Sequence, residues 1–210
     1  MPKINAPTVI EHRELRRADL LVAATELIRS GKAFTVAEVA TQVGLSRSAV
    51  YEYYSSAADL IADVIVDELD SWAVTLRIAT TGIEDPKSLV DAWVTSVLTY
   101  VADGQHSLLK SAASIELPPA RRAQVGAMHA DLISPLMTAL SGLGSPNPTQ
   151  LAHYIWGTVQ ASIDLIETTG CDPMNEIQAA LNFIHGGLAT FGFNTNPGAP
   201  TPSAKVGILA

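Results

Sequence analysis

One cysteine, Cys171, is all the thiol chemistry in these 210 residues, so no disulfide can close within the chain and no C-x-x-C zinc spacing exists. The five histidines, His12, His106, His129, His153 and His185, stand at no metal-ligand spacing. No G-x-S-x-G and no Gly-rich phosphate loop occurs, and Cys171 has no basic neighbour in sequence to activate it. Catalysis, cofactor and metal are therefore not expected. The chain also lacks any window near the ~18 uninterrupted apolar residues of a membrane span, and its first residues, MPKINAPTVIEHRELRR, lack the apolar core of a signal peptide. The expectation is a soluble, cytoplasmic protein without membrane contact.

Charge is scarce too. Asp, Glu, Lys and Arg make up 16% of the chain, against about 25% in an average domain. Apolar residues reach 48%, so much surface must be buried, inside the fold or between subunits. A net charge of −8 speaks against nucleic acid, but its distribution does not. Residues 1–54 hold seven Lys/Arg against six Asp/Glu, a net of +1 that leaves −9 on the remainder. A first quarter that differs this way from the rest points to a polyanionic partner.

What is present is helical periodicity. Apolar residues recur at three- and four-residue spacing almost throughout, which predicts an all-α fold. A first helix runs from about Arg13 to Ser30, ended by Gly31. Thr35 with Glu38 forms a capping box that opens a two-turn helix whose buried stripe is Val36, Val39, Ala40 and Val43. Gly44 turns the chain, Leu45 folds back, and Ser46 caps a third short helix. Ser56 and Asp59 open a long fourth helix to about Ile78. Asp85-Pro86 begins a fifth, reaching about Asp103. Helices from about His106 to Glu116 and from Pro118-Pro119 follow, the latter kinked or split at Pro135. After the loop Gly142 to Pro148, two apolar helices span about Thr149 to Thr169 and Pro173 to Phe191. The Pro-containing segment 193–210 is expected to be disordered.

A long helix, a short helix, a Gly turn and a second short helix make the helix-turn-helix plan, which lays its last helix in the DNA major groove. TVAEVATQVGLSRSAVYEYYSSAADL, Thr35 to Leu60, resembles the N-terminal domain of the TetR family of bacterial transcriptional regulators. The resemblance implies a DNA-binding domain over 1–56, with its helix-turn-helix at about 35–54, and an effector-binding and dimerisation domain over 57–192. Carried onto this chain, it makes Arg47, Ser48, Ala49 and Glu52 the groove-facing set. Arg47 is the base reader, since a guanidinium fork can hold guanine O6 and N7 together. Thr35, Ser46, Tyr51 and Tyr53 match DNA-backbone positions, and Tyr54 the aromatic beneath the recognition helix. In one place the chain departs from the pattern. Where the family has a phosphate-gripping lysine this chain has Ala57, which should flatten the salt dependence of binding by about one unit of slope.

The last two helices carry wide apolar faces, so Ile155, Val159, Ile163, Ile177, Leu181, Ile184 and Leu188 are expected at a homodimer interface of four helices. The resemblance also implies a small-molecule effector, and the few charges suggest a largely apolar one. Candidate pocket residues are Trp93, Tyr100, Met128, His129, Leu132, Trp156 and Gln160. The function expected is a repressor that binds a palindromic operator and is released by that effector. The alternative is an interaction protein that kept the helix-turn-helix and lost specific DNA binding, for which the acidic balance and Ala57 speak.

Overall fold

Thr35 opens its helix by the predicted chemistry. Its backbone is extended (φ −134°, ψ 144°), its hydroxyl oxygen accepts the Glu38 N–H at 3.2 Å, and its own proton goes to the Glu38 carboxylate at 2.9 Å. The same logic recurs along the chain. Asp85, Asn147 and Asp172 each accept the backbone N–H three residues on, and a proline follows each as the first helical residue.

The computed structural model describes residues 9–30, 34–112 and 115–191. Among these residues there are nine helices and no strand: α1 Val9–Arg29, α2 Val36–Gln42, α3 Arg47–Val50, α4 Ala57–Thr80, α5 Pro86–Ala102, α6 His106–Ala112, α7 Pro119–Gly142, α8 Pro148–Thr169 and α9 Pro173–Thr190. The all-α expectation holds. Gly31 and the segment 193–210 lie outside the described residues.

Three boundaries differ from those read in the sequence. α1 begins at Val9, a turn before Arg13: Ile10, Glu11 and His12 are exposed, so no apolar stripe announces that turn. α6 stops at Ala112 instead of continuing to Glu116. Ile115 closes only a tight turn onto the Ala112 carbonyl, and Pro118 holds Leu117 out of helical backbone, so no helix can run on into α7. α7 passes through Pro135 as one helix and does not split there.

Two compact units divide the chain, Met1–Ile78 with Asp103–Ile133 and Ala79–Ala102 with Ser134–Ala210. In the first, α1 packs on α2 and α6, and α2 on α3. Its core joins Leu20, Ala24 and Ile28 of α1 to Val39, Val50 and Tyr54, and includes Leu60, Val64 and Leu69 of α4. In the second, α5, α8 and α9 pack on one another around Trp93, Val94, Val97, Val159, Ile163 and Ile184. A methyl added to Gly142 would lie 2.9 Å from Pro86, so α7 can end against the start of α5 only with no side chain there. Among the described residues no helix is long and apolar enough to cross a membrane. No cluster of three or more His, Cys, Asp or Glu among them is placed to hold a metal ion.

Candidate nucleic-acid interface

The turn between α2 and α3 is built from backbone alone. Gly44 adopts φ +69°, a conformation side chains resist. Its N–H donates to the Thr41 carbonyl at 3.3 Å, and the Leu45 N–H reaches back to Ala40 at 2.8 Å. This pair of bonds closes the helix as a Schellman motif. Ser46 then caps α3, accepting the Ala49 N–H at 3.1 Å and sharing a hydrogen bond with the Ser48 hydroxyl at 2.9 Å. α3 itself is a single turn. Beyond Val50 the chain tightens, with the N–H groups of Tyr51, Glu52 and Tyr53 each donating three residues back, so Tyr51 and Tyr53 sit in a turn and not on regular α-helix.

Arg47, Ser48, Glu52 and Tyr51 are exposed, Ala49 and Tyr53 half-buried, and Val50 and Tyr54 buried. Thr35 and Ser46 are also exposed, but each hydroxyl is already engaged in capping its helix. Their contribution to this surface is to aim it.

Each of the three tyrosines carries an arginine. The guanidinium of Arg47 lies 5.9 Å from the Tyr51 ring centre, that of Arg13 5.5 Å from Tyr53, and that of Arg17 5.5 Å from Tyr54. Arg13 also donates from Nη2 to the Glu52 carbonyl at 3.0 Å, satisfying a backbone acceptor beyond the end of α3. Arg13 and Arg17, four apart on α1, therefore brace the turn from behind. Their i, i+4 spacing is visible in the sequence, but nothing there names the partners.

Behind Tyr54 a charged network ties three helices together. Arg17 donates to the Asp63 carboxylate at 2.5 Å, Arg121 of α7 bonds the other Asp63 oxygen, and Arg121 Nε lies 3.5 Å from Asp59. Burial works to raise the Asp63 pKa, but the Arg17 hydrogen bond and the charges of Arg17 and Arg121 outweigh it and hold the carboxyl below its usual value. Burial pushes the Tyr54 phenol up to about 12, against the opposing pull of Arg17. Asp63 is depressed in the fold, so its stabilisation is present above the unfolded carboxylate pKa and is lost as pH falls through the folded value. Asp63→Asn should cost about 2 kcal/mol in urea unfolding at pH 7, by leaving two guanidinium groups short of an acceptor. That loss should shrink in acid; equal losses at pH 7 and pH 3 would refute the role.

The other sequence-derived candidates fall apart by environment. In the second unit Trp93 and Trp156 come together, ring centres 6.3 Å apart and tilted by 60°, with Trp93 buried and Trp156 partly exposed. Tyr100 is buried, and Gln160 is exposed and bonded to Asp164. In the first unit Leu132 is buried, Met128 half-buried, and exposed His129 spends Nδ1 on the Val125 carbonyl one turn back.

Six of the seven residues expected at a dimer interface, Ile155, Val159, Ile163, Ile177, Ile184 and Leu188, are buried within the chain's own fold, and Leu181 is half-buried. Hydrophobic periodicity identified the inner face of each helix. The outward face carries Tyr154, Met174 and Phe183, the last 72% exposed. Between α8 and α9 lies an apolar groove of about 810 Å³, walled by Tyr154 and Phe183, lined by Gly157, Ala161 and Gly187, and floored by Ile155, Ile184 and Leu188.

No family model matches the chain, and no curated protein matches its sequence. Solved structures match its fold. FadR from Bacillus subtilis, in complex with stearoyl-CoA, shares 14% identity at a TM-score of 0.66 over 81% of this chain and 98% of its own. The TetR-family regulator PfmR from Thermus thermophilus shares 16% at 0.60, over 86% of this chain and 95% of its own. The superantigen PfiT shares 16% at 0.67, over 80% of this chain and 94% of its own. The chain has the all-α fold of TetR-family transcriptional regulators.

Proposed function

We propose that this protein is a transcriptional regulator that binds a palindromic DNA operator as a homodimer, acts as a repressor, and is released by a small, largely apolar effector. The observation that carries this reading is the α2–Gly44–α3 unit, which exposes Arg47, Ser48 and Glu52 together and is braced from α1 by Arg13 and Arg17. Residues 1–56 would then meet DNA and residues 57–192 would bind effector and partner. That FadR of the same fold was solved with stearoyl-CoA supports a long apolar ligand class.

Selecting bound fragments from random duplex DNA tests the reading. The expected result is an enriched palindrome whose half-sites place two recognition segments ~34 Å apart. Within it, Tyr51→Phe should weaken binding about three- to tenfold without changing the consensus, as loss of one backbone hydrogen bond per half-site requires. A shifted consensus would give Tyr51 a different role.

A second reading is an interaction protein without specific DNA binding. The net charge of −8, Ala57 at the start of α4, and the sharing of this fold by a superantigen favour it. A dimer that enriches no palindrome at low salt would decide for it.

A further inference from the structure

We propose that two copies of this chain, docked through the α8–α9 groove, are registered by a reciprocal contact between His153 of one protomer and Glu176 of the other. This rests on the homodimer reading above. It adds the residues that set the register and a proton that accompanies docking.

The groove is almost wholly apolar, and the titratable side chains that line it are His153, Tyr154 and Glu176. Glu176 stands in the first turns of α9, where its Oε1 accepts the buried Ser162 hydroxyl at 2.6 Å and so pins that end of α9 to the middle of α8. Only Gly170, Cys171 and Asp172 join the two helices, which therefore run antiparallel. His153 lies nine residues before Ser162, about 13 Å along α8 at 1.5 Å per residue, toward the end of the groove far from the loop. The small residues Gly157, Thr158, Ala179 and Ala180 occupy the stretch between.

A two-fold axis through the middle of this stretch exchanges the ends of the groove, so His153 of each copy meets the partner's Glu176. The base and the acid are placed to be self-complementary. Docking with like ends together would bring two carboxylates face to face, which is disfavoured.

The protonation follows from hydrogen bonding. His153 Nδ1 meets the Thr149 carbonyl at 2.7 Å, and a carbonyl oxygen can only accept, so Nδ1 bears a proton. Nε2 can donate to a carboxylate only if it too is protonated, so docking takes up a proton. The neighbouring elements offer His153 little else. The charged residues of α5 are Lys87 and Asp91, and Asp91 meets His185 of α9 at 2.5 Å. On α8 itself Asp164 is bonded by Gln160 and Tyr154 by Gln150, and Glu167 lies about 21 Å along the helix from His153, while the part of α7 in this unit carries no charge.

Sedimentation equilibrium of the full chain at pH 6 and pH 8 tests the contact in wild type, His153→Gln, Glu176→Gln and the double variant. The glutamine at 176 keeps an acceptor for Ser162. Wild type should dimerise about fivefold more tightly at pH 6 than at pH 8. Each single variant should lose that difference, and the double should be no weaker than either single. Full additivity, or a wild-type dimer indifferent to both substitutions, overturns the contact and leaves the homodimer standing. A wild-type monomer at every concentration removes the homodimer reading itself. Should Glu176→Gln fail to fold, calorimetry in buffers of different ionisation enthalpy decides with His153→Gln alone. Proton uptake on dimerisation must vanish in that variant, and its persistence refutes the proposal.

Discussion

Phe183→Glu should leave a folded monomer that has lost its hold on duplex DNA. Phe183 is 72% exposed in the protomer, beside a groove kept open by Gly157, Ala161 and Gly187. An aromatic seated in such a groove is an anchor of the kind whose removal costs ≥ about 2 kcal/mol, and a two-fold interface contains it twice. The loss is thus about 4 kcal/mol, roughly a thousandfold in the dimer constant, before the cost of burying the new carboxylate is counted. Folding should survive because the ring contributes little to the protomer's own core. Sedimentation equilibrium and a gel-shift titration read the two effects, and a variant that stays dimeric with unchanged affinity would show that the groove is not the interface. DNA binding falls with the dimer because a single recognition segment gains nothing from the second half-site.

Arg47→Ala should cost about 1–3 kcal/mol on the preferred operator and relax discrimination at one base pair of each half-site. The structure sharpens what Arg47→Lys would do. The Arg47 guanidinium lies over the Tyr51 ring at 5.9 Å, and a lysine keeps the charge but neither the planar fork nor the stacking face, so it should not rescue the base preference. Binding to a panel of operators mutated one pair at a time separates the outcomes: a uniform loss across the panel makes Arg47 a phosphate contact.

Much of this was legible in residue order because local chemistry is short in range. Thr35 and Glu38, Ser46, Asp85-Pro86 and Asp172-Pro173 mark helix starts by contacts within three residues, and each mark survives in the structure. Periodicity found the inward faces for the same reason: Val159 and Ile184 repeat with the turn of their helices. It does not single out the outward ones. A residue such as Phe183 breaks no pattern and gains no partner within one chain, so only the folded surface reveals it. The bracing arginines were invisible for a different reason. Arg17 meets Tyr54 across 37 positions and Asp63 across 46, and no spacing rule connects a helix to a turn so far along the chain. The extra first turn of α1 was missed because Ile10, Glu11 and His12 are exposed, the early end of α6 because no Gly or Pro marks it before Pro118.

Arg121 has a consequence for how the protein is made. It supplies half of the ion pairing around Asp63 in the unit that holds the recognition turn, yet it is synthesised 58 residues later. Between them the ribosome must produce α5, which belongs to the other unit. Domains generally fold as they emerge, N-terminal first. By that rule Asp63 of the nascent first unit has only Arg17 to pair with until Arg121 is made. The segment that reads first in the sequence is therefore finished only once α7 has emerged.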